Sequence, residues 1–189
     1  MSEPRPTRSD LAAAYGRAVP DLIAPDLNVL FCGINPSLYS AATGHHFARP
    51  GNRFWPALYH AGFTERLLKP SEELLLLEDG IGITNLVRRA TATAAELTND
   101  ELRSSRSRLA RKVRRFRPRC IAVVGIGAYR VAFDRPRATV GLQPEVLGTA
   151  ALWVLPNPSG LNANHQLPEL SEAFRAVRVF MTRSARLHP

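Results

Sequence analysis

Four stretches of the chain are apolar at nearly every position, and segments with helical periodicity separate them. They cover residues 28–32, 81–87, 120–124 and 151–155. Strands that are apolar throughout are buried on both faces, which is typical of a parallel sheet with helices on either side. The pattern therefore predicts an α/β fold, a three-layer αβα sandwich around a short, mainly parallel central sheet.

Helices are predicted where apolar residues recur every three to four positions. Thr98 and Glu101 have the spacing of a capping box, so a long helix begins there and ends before Pro118. Other helices are predicted over residues 52–60, capped by Asn52, over 72–77, and over 168–183. These segments fill the connections between the predicted strands.

The first 25 residues differ in character from the rest of the chain, because they are polar and contain several prolines. We expect residues 1–25 to form a poorly packed arm, with a short helix over 11–18. Residues 26–189 contain no repeat or low-complexity tract, and their length suits one domain with its own core. A single domain with an N-terminal arm is the predicted organisation.

The charge of the chain indicates an anionic partner. Apolar residues make up 45% and charged residues 22%, and no apolar run approaches membrane-spanning length. Residues 1–21 lack the apolar core of a secretory signal, so we expect a cytoplasmic monomer without membrane contact. The 25 basic and 16 acidic residues give a net charge of +9, which favours nucleic acid. Between Arg103 and Arg119 every charged residue is basic, and a solvated helix face is a simpler interpretation of that run than phosphate contact.

Common cofactor and metal motifs are incomplete. Residues 125–127 (Gly-Ile-Gly) follow a strand as in dinucleotide-binding proteins, but Arg130 takes the place of the third glycine. A tight strand-to-helix turn is the better interpretation. The adjacent His45 and His46 have no acidic or thiol ligand close in sequence. We therefore expect neither a cofactor nor a metal ion.

Two Asn-Pro-Ser segments follow buried strands, at residues 35–37 and 157–159. In parallel sheets the carboxyl ends of the strands share one edge, and ligands bind there. Proline keeps the preceding residue extended, so the amides of Asn35 and Asn157 are expected to project into that crevice. With an exposed Phe47 they suit a planar ligand with hydrogen-bonding edges, such as a nucleobase. A simpler interpretation is that each asparagine caps the turn that follows it.

Four motifs occur in a fixed order along the chain. They are Gly-Ile-Asn-Pro at 33–36, Gly-His-His-Phe and Asn-Arg-Phe-Trp within 44–55, Thr-Asn-Leu-Val at 84–87, and Asn-Pro-Ser-Gly-Leu at 157–161. The set closely resembles the mismatch-specific uracil-DNA glycosylases and the thymine-DNA glycosylases, from about residue 26 to the last helix. The resemblance implies a monofunctional DNA N-glycosylase. Such an enzyme would flip uracil, thymine or another modified pyrimidine out of mismatched duplex DNA, especially opposite guanine, and leave an abasic site.

The resemblance also implies roles for individual residues. Asn35 would orient the attacking water, and Asn157 would contact the base and ease charge on the departing anion. Phe47 would stack on the flipped base while the backbone of Ile34 and nearby amides read its edge. The base-binding set is Gly33, Ile34, Ser40, Phe47 and Asn85, with Ser40 near the C5 and O4 side of the pyrimidine. Ser159, Gly160 and Leu161 would form the wedge that fills the vacated stack.

Other possibilities remain open from the residues themselves. Asp79, just before the second predicted strand, is a candidate assisting carboxylate, although a surface turn explains it as well. The same crevice would also suit a nucleoside or nucleotide hydrolase, or a non-catalytic DNA-binding module for extruded bases. An abasic product from uracil-containing duplex, without cleavage of free deoxyuridine, would separate the first function from both alternatives.

Overall fold

The computed structural model describes residues 5–160 and 166–187, with side chains described up to position 183. Within them, five strands form one sheet in the order β2-β1-β3-β5-β4. The strands are β1 (Val29–Gly33), β2 (Ile81–Asn85), β3 (Cys120–Val124), β4 (Gly141–Leu147) and β5 (Ala150–Leu155). β4 runs antiparallel to β5, and the other neighbours are parallel. The sheet is thus mainly parallel, as the apolar pattern predicts.

Helices cover both faces of the sheet. They are α1 (Arg8–Ala13), α2 (Leu38–Thr43), α3 (Phe54–His60), α4 (Asn99–Phe116), α5 (Ile126–Ala132) and α6 (Leu167–Leu187), with 3-10 turns at Pro70–Leu77 and Ala94–Glu96. Phe31 of β1 packs against α3 and α6, whereas its neighbours Leu30 and Cys32 pack against α4 and α5. This alternation confirms the three-layer αβα sandwich. No helix in the described part of the chain is both long and apolar enough to cross a membrane.

Helix boundaries follow the capping signals. The Thr98 hydroxyl accepts from the Glu101 amide at 3.2 Å, and the Glu101 carboxylate accepts from the Thr98 amide at 2.8 Å. The helix predicted over 52–60 begins later, at Phe54, and its N-cap residue is Arg53 and not Asn52. The Asn52 side chain still accepts from the Phe54 amide at 2.9 Å, in the turn before the helix. The helix predicted over 72–77 is a 3-10 helix, and the last helix extends beyond its predicted end to Leu187.

β4 was not predicted, because its pattern differs from that of the other strands. It contains Pro144, and its register against β5 shifts between Leu142 and Val146. Both of those side chains are exposed. A proline and a register irregularity are typical of an edge strand, which lacks the continuous apolar run of a central one.

The expectation of a poorly packed N-terminal arm is wrong for the residues next to the sheet. Ala14 and Val19 are buried in a cluster with residues of α2 and of the loop after β2. The backbone of Leu22 forms two hydrogen bonds with Ile83, 2.8 and 2.9 Å long, and so covers the outer edge of β2. The Asp21 carboxylate lies 2.6 Å from Lys112 Nζ on α4. These contacts pack the N-terminal segment against the sheet, although its polar, proline-containing composition is typical of a loosely packed arm.

Candidate functional site

A cavity of about 530 Å³ opens at the carboxyl ends of the four parallel strands. Its volume lies in the range of roughly 300–1,000 Å³ that is usual for small-molecule sites. Most of the predicted site residues line it, namely Ile34, Asn35, Ser40, Phe47, Asn85, Asn157 and Ser159. The structure therefore brings together the three loops that the sequence places at this edge of the sheet.

Asn35 is held by the nitrogen of its side-chain amide. Nδ2 donates to the Arg89 carbonyl oxygen at 3.0 Å and to Thr91 Oγ1 at 2.7 Å. A carbonyl oxygen can only accept, so it requires the amide nitrogen, not the oxygen, on that side. Oδ1 is not buried and has no hydrogen-bond partner among the described residues. Asn35 thus presents a fixed, neutral acceptor to the cavity.

Thr91 is a site residue that the sequence analysis did not identify. It is 1% exposed, and its hydroxyl donates to the Thr93 carbonyl oxygen at 2.7 Å. With its only proton engaged, the hydroxyl can receive the amide proton of Asn35 and set the orientation of that side chain. No local motif marks Thr91, but its position in the loop after β2, at the cavity edge of the sheet, is a usable signal.

Phe47 was predicted to be exposed, but one face of its ring lies against the core, so the residue is half-buried. Its ring stacks on Phe54 with centroids 4.0 Å apart and also lines the cavity. The backbone φ of Phe47 is +52°, a conformation that bulky residues rarely adopt. The flanking amides are fixed, since that of His46 donates to Glu73 at 2.9 Å and that of Ala48 to Ser40 Oγ at 3.2 Å. These contacts hold the strained aromatic in place.

Gly33 supports the cavity without lining it. It is the last residue of β1 and pairs with Asn85 at the end of β2. A Cβ at Gly33 would lie 2.5 Å from Asn85 Oδ1 and 3.2 Å from Phe47 Cζ. The missing side chain therefore allows the amide and the ring to converge above the strand. Asn85 makes no side-chain hydrogen bond to the described residues, which leaves its amide available to a ligand.

Ser40 lines the cavity from α2 but is only 3% exposed. Its Oγ accepts from Ser37 Oγ at 3.1 Å and from the Ala48 amide at 3.2 Å. The Ser40 hydroxyl therefore braces the loop that carries Phe47, and its own proton remains as a donor.

The two adjacent histidines have protein partners. His46 Nε2 lies 2.9 Å from the Pro20 carbonyl oxygen, which can only accept, so Nε2 carries the proton. Burial lowers the pKa of His46 and keeps its imidazole neutral. His45 Nδ1 lies 3.3 Å from Glu73 Oε1. Glu73 therefore contacts both histidines. The described residues contain no cluster of three potential metal ligands.

Asn157 both lines the cavity and caps its own turn. Its Oδ1 accepts from the Ser159 amide at 2.9 Å, as the simpler interpretation of an Asn-Pro segment expects. The Arg53 guanidinium donates to the Ser159 carbonyl oxygen at 2.6 Å. Two backbones also meet closely here, because a Cβ at Gly160 would lie 2.6 Å from the Gly51 carbonyl oxygen. The predicted wedge residue Leu161 lies outside the described residues.

Asp79 is far from this cavity, contrary to its suggested role as an assisting carboxylate. It is exposed in the turn before β2, whereas the cavity lies beyond Asn85 at the other end of that strand. Four residue steps from Ile81 to Asn85 span roughly 13 Å. The surface-turn interpretation of Asp79 is therefore the better one, since the carboxyl ends of the strands form the opposite edge of the sheet.

The charge near the cavity is small. The described lining residues include no carboxylate and no lysine, and Arg49 is the one among them that carries a permanent charge. The basic run from Arg103 to Arg119 lies on and just after α4. Because α4 leads into the start of β3, its more basic end lies at the edge of the sheet opposite the cavity. This placement favours a solvated helix face for the run.

Comparisons with known proteins give one family and one similar fold. The sequence model of the uracil DNA glycosylase superfamily matches residues 20–178. Among solved structures, the solution NMR structure of a "putative Uracil DNA glycosylase" from Methanosarcina acetivorans is similar, with a TM-score of 0.56. The two sequences are 19% identical, and the match covers 86% of this chain and 98% of the other. At that identity the structural match supports the fold alone, whereas the family match spans all three loops of the cavity.

Proposed function

The chain belongs to the uracil DNA glycosylase superfamily, whose members are DNA N-glycosylases, and we propose that it removes uracil mispaired with guanine. In this proposal the enzyme flips uracil, or a related modified pyrimidine, out of duplex DNA as a monomer. It then hydrolyses the N-glycosidic bond and leaves an abasic site. The observation that carries the proposal is the convergence of Asn35, Phe47 and Asn85 on one cavity at the carboxyl edge of the sheet.

The cavity provides a flat aromatic surface and hydrogen-bonding groups beside it, which together suit a pyrimidine. Phe47 provides the stacking face, backed by Phe54, and base–aromatic stacking contributes about 1–3 kcal/mol. Asn85 offers both donors and an acceptor to the edge of the base. The Ile34 backbone and the Ser40 hydroxyl complete the wall, with Ser40 proposed near C5 and O4. A base held in this way would be read by shape and by hydrogen bonds together.

Asn35 is proposed to position the attacking water. Its Oδ1 can accept one proton of a water molecule, because Nδ2 is already engaged by Arg89 and Thr91. A neutral amide does not remove the proton in the way that a carboxylate does, so its contribution is orientation. Since no lysine lines the described cavity, water is the proposed nucleophile, and a monofunctional reaction follows.

Bond breaking is proposed to precede attack. The sugar acquires oxocarbenium character, as in other glycoside hydrolyses, and the base departs as an anion. Water then adds to the sugar carbon, and the proton that it loses passes to the departed anion or to solvent. The lack of a carboxylate among the described lining residues fits this order, because a carboxylate beside the base would oppose the developing negative charge. Asn157 is proposed to contact the base and ease that charge. We expect a modest rate, dominated by leaving-group stabilisation and base flipping.

The loop after β5 is proposed to hold the duplex open. Ser159, Gly160 and Leu161 would form the wedge, with Leu161 filling the vacated stack. The anchoring of Ser159 by Arg53 supports this role, because a wedge must resist displacement. A mispaired base costs less to unstack, which favours G·U over A·U.

A glycosylase assay on a panel of substrates tests the proposal. Duplexes containing uracil, thymine, ethenocytosine or hydroxymethyluracil opposite guanine or adenine are incubated with the enzyme, and abasic sites are cleaved with alkali. We expect abasic product from G·U duplex and none from free deoxyuridine. Cleavage of free deoxyuridine would favour a nucleoside hydrolase, and tight binding of G·U duplex without product would favour a non-catalytic DNA-binding module.

A further inference from the structure

We call the cavity at the carboxyl edge of the sheet the base cavity. A second cavity, of about 540 Å³, lies beside it, between α1 and α2. We call it the α1–α2 groove, and its lining includes Arg5, Asp10, Arg17, Ala42, Thr43 and His45. α2 and the turn after it separate the two cavities. Ser40, His46 and Phe47 face the base cavity, whereas their neighbours Ala42, Thr43 and His45 face the groove.

The described lining of the groove carries more positive than negative charge. The guanidinium groups of Arg5 and Arg17 have no ion-pair or hydrogen-bond partner among the described residues, and both residues are exposed. The Asp10 carboxylate accepts from the amide and the hydroxyl of Thr7, at 2.8 and 2.7 Å, and keeps its negative charge. The two arginines outweigh it, so the described lining is net positive. Guanidinium groups bind phosphate oxygens through planar, paired donors.

The backbone of the groove is fixed relative to the base cavity. The Gly16 amide donates to the Ala90 carbonyl oxygen at 2.9 Å, and the Ala90 amide donates to the Arg17 carbonyl oxygen at 2.8 Å. Ala90 lies between Arg89 and Thr91, the two residues that hold the Asn35 amide. The segment that carries Arg17 is therefore joined directly to the loop that orients Asn35.

We propose that the α1–α2 groove binds a backbone phosphate of the DNA strand whose base enters the cavity. The inference rests on the proposed function for the identity of that strand. One helix, about 10 Å across with its side chains, separates groove and cavity. A DNA strand advances about 3.4 Å along the duplex axis per nucleotide, so the phosphate lies within about three nucleotides of the flipped base. The groove would set the register of the strand without touching the reacting bond.

Binding to a duplex without uracil tests the groove independently of catalysis. The double variant Arg5→Ala/Arg17→Ala is compared with Arg111→Ala/Arg114→Ala, which removes the same charge from exposed residues on the far half of α4. The slope of log K against log salt is measured by fluorescence anisotropy. Because one phosphate contact contributes about 0.9 to the slope, we expect the groove variant to lose about 1 unit of slope, while the α4 variant keeps the wild-type slope. Equal slopes for wild type and groove variant, or equal losses in both variants, would overturn the proposal.

Neutral methylphosphonate linkages then locate the phosphate. Each linkage near the uracil of a G·U duplex is replaced in turn, and the dissociation constant is measured. Wild type should be sensitive at one linkage within about three nucleotides of the uracil, and the groove variant should lose that sensitivity. An unchanged profile in the variant would refute the groove.

The two proposals can fail separately. The groove variant should keep the wild-type single-turnover rate at saturating duplex, because Arg5 and Arg17 do not line the base cavity. A chain that shows the slope change but releases no uracil would retain the groove and lose the glycosylase assignment. Uracil release without any change in the salt slope would support the glycosylase proposal and refute the groove.

Discussion

Replacing Gly33 by alanine would test the convergence of Asn85 and Phe47 on the base. The new Cβ would lie 2.5 Å from Asn85 Oδ1, so the amide must move, and 3.2 Å from the Phe47 ring, which must shift slightly. Asn85 Oδ1 is the end of a short side chain, so rotation relieves the clash cheaply. The backbone of Gly33 does not have positive φ, and alanine in a strand is favoured over glycine by roughly 0.5–1 kcal/mol. We therefore expect stability near that of wild type.

The cost should appear in base recognition. If rotation removes two hydrogen bonds from Asn85 to the base, at about 0.5–1.5 kcal/mol each, transition-state binding weakens by about 1–3 kcal/mol. That corresponds to roughly a 5- to 150-fold loss in kcat/KM. The assay is uracil release from a G·U duplex, with thermal unfolding measured on the same preparation.

A matched control is available in the same cavity. Gly127 lines its rim, and a Cβ there would meet no atom within 4 Å, so Gly127→Ala should cleave at the wild-type rate. In an Asn85→Ala background, Gly33→Ala should cost little more, because the conflicting amide is gone. A folded Gly33→Ala variant with wild-type kcat/KM would refute the role that we give to Asn85.

Three further predictions concern single side chains. Phe47→Ala should weaken capture of the flipped base by about 1–3 kcal/mol, measured as product affinity, and intact affinity would make Phe47 merely a core aromatic. Leu161→Ala should slow cleavage most on A·U duplex, less on G·U and least on single-stranded uracil; equal losses on all three would indicate a role in folding. The hydrogen bond from Arg89 lowers the pKa of Glu101 to about 2, so this carboxylate stabilises the fold above its unfolded pKa of 4.5. That stabilisation should fade as the pH falls from 4.5 towards 2, and Glu101→Gln should lack it at neutral pH. The measurement is the free energy of unfolding of wild type and Glu101→Gln as a function of pH. An equal pH dependence for the two proteins would contradict this role.

Much of the fold could be predicted because the buried strands appear in the sequence as runs of apolar residues. β1, β2, β3 and β5 are covered on both faces, so their positions are apolar apart from Thr84 and Asn85 at the end of β2. The Thr98–Glu101 capping box marks the start of α4 to the residue. β4 was not predicted because its burial alternates, with Leu142 and Val146 exposed, and because it contains Pro144.

The site was predictable as a set of loops but not in its contacts. The position of Asn35 after a buried strand places it in the cavity, whereas its dependence on Thr91 arises from a contact between residues 56 positions apart. Asp79 illustrates the opposite error. A carboxylate next to a predicted strand is a candidate only at the carboxyl end of that strand, and Asp79 precedes β2.

The central claim is that Asn35 orients water for hydrolysis of the glycosidic bond of a flipped uracil. Its most direct test is the single-turnover rate of uracil release from a G·U duplex by wild type and Asn35→Ala, with duplex affinity measured in parallel. Asn28→Ala is the control, because its amide contacts the Asp79 carbonyl oxygen at the opposite edge of the sheet. We predict release at least about tenfold slower for Asn35→Ala, with affinity near wild type and the control unaffected. A wild-type rate for Asn35→Ala, or no uracil release by wild type, would contradict the claim.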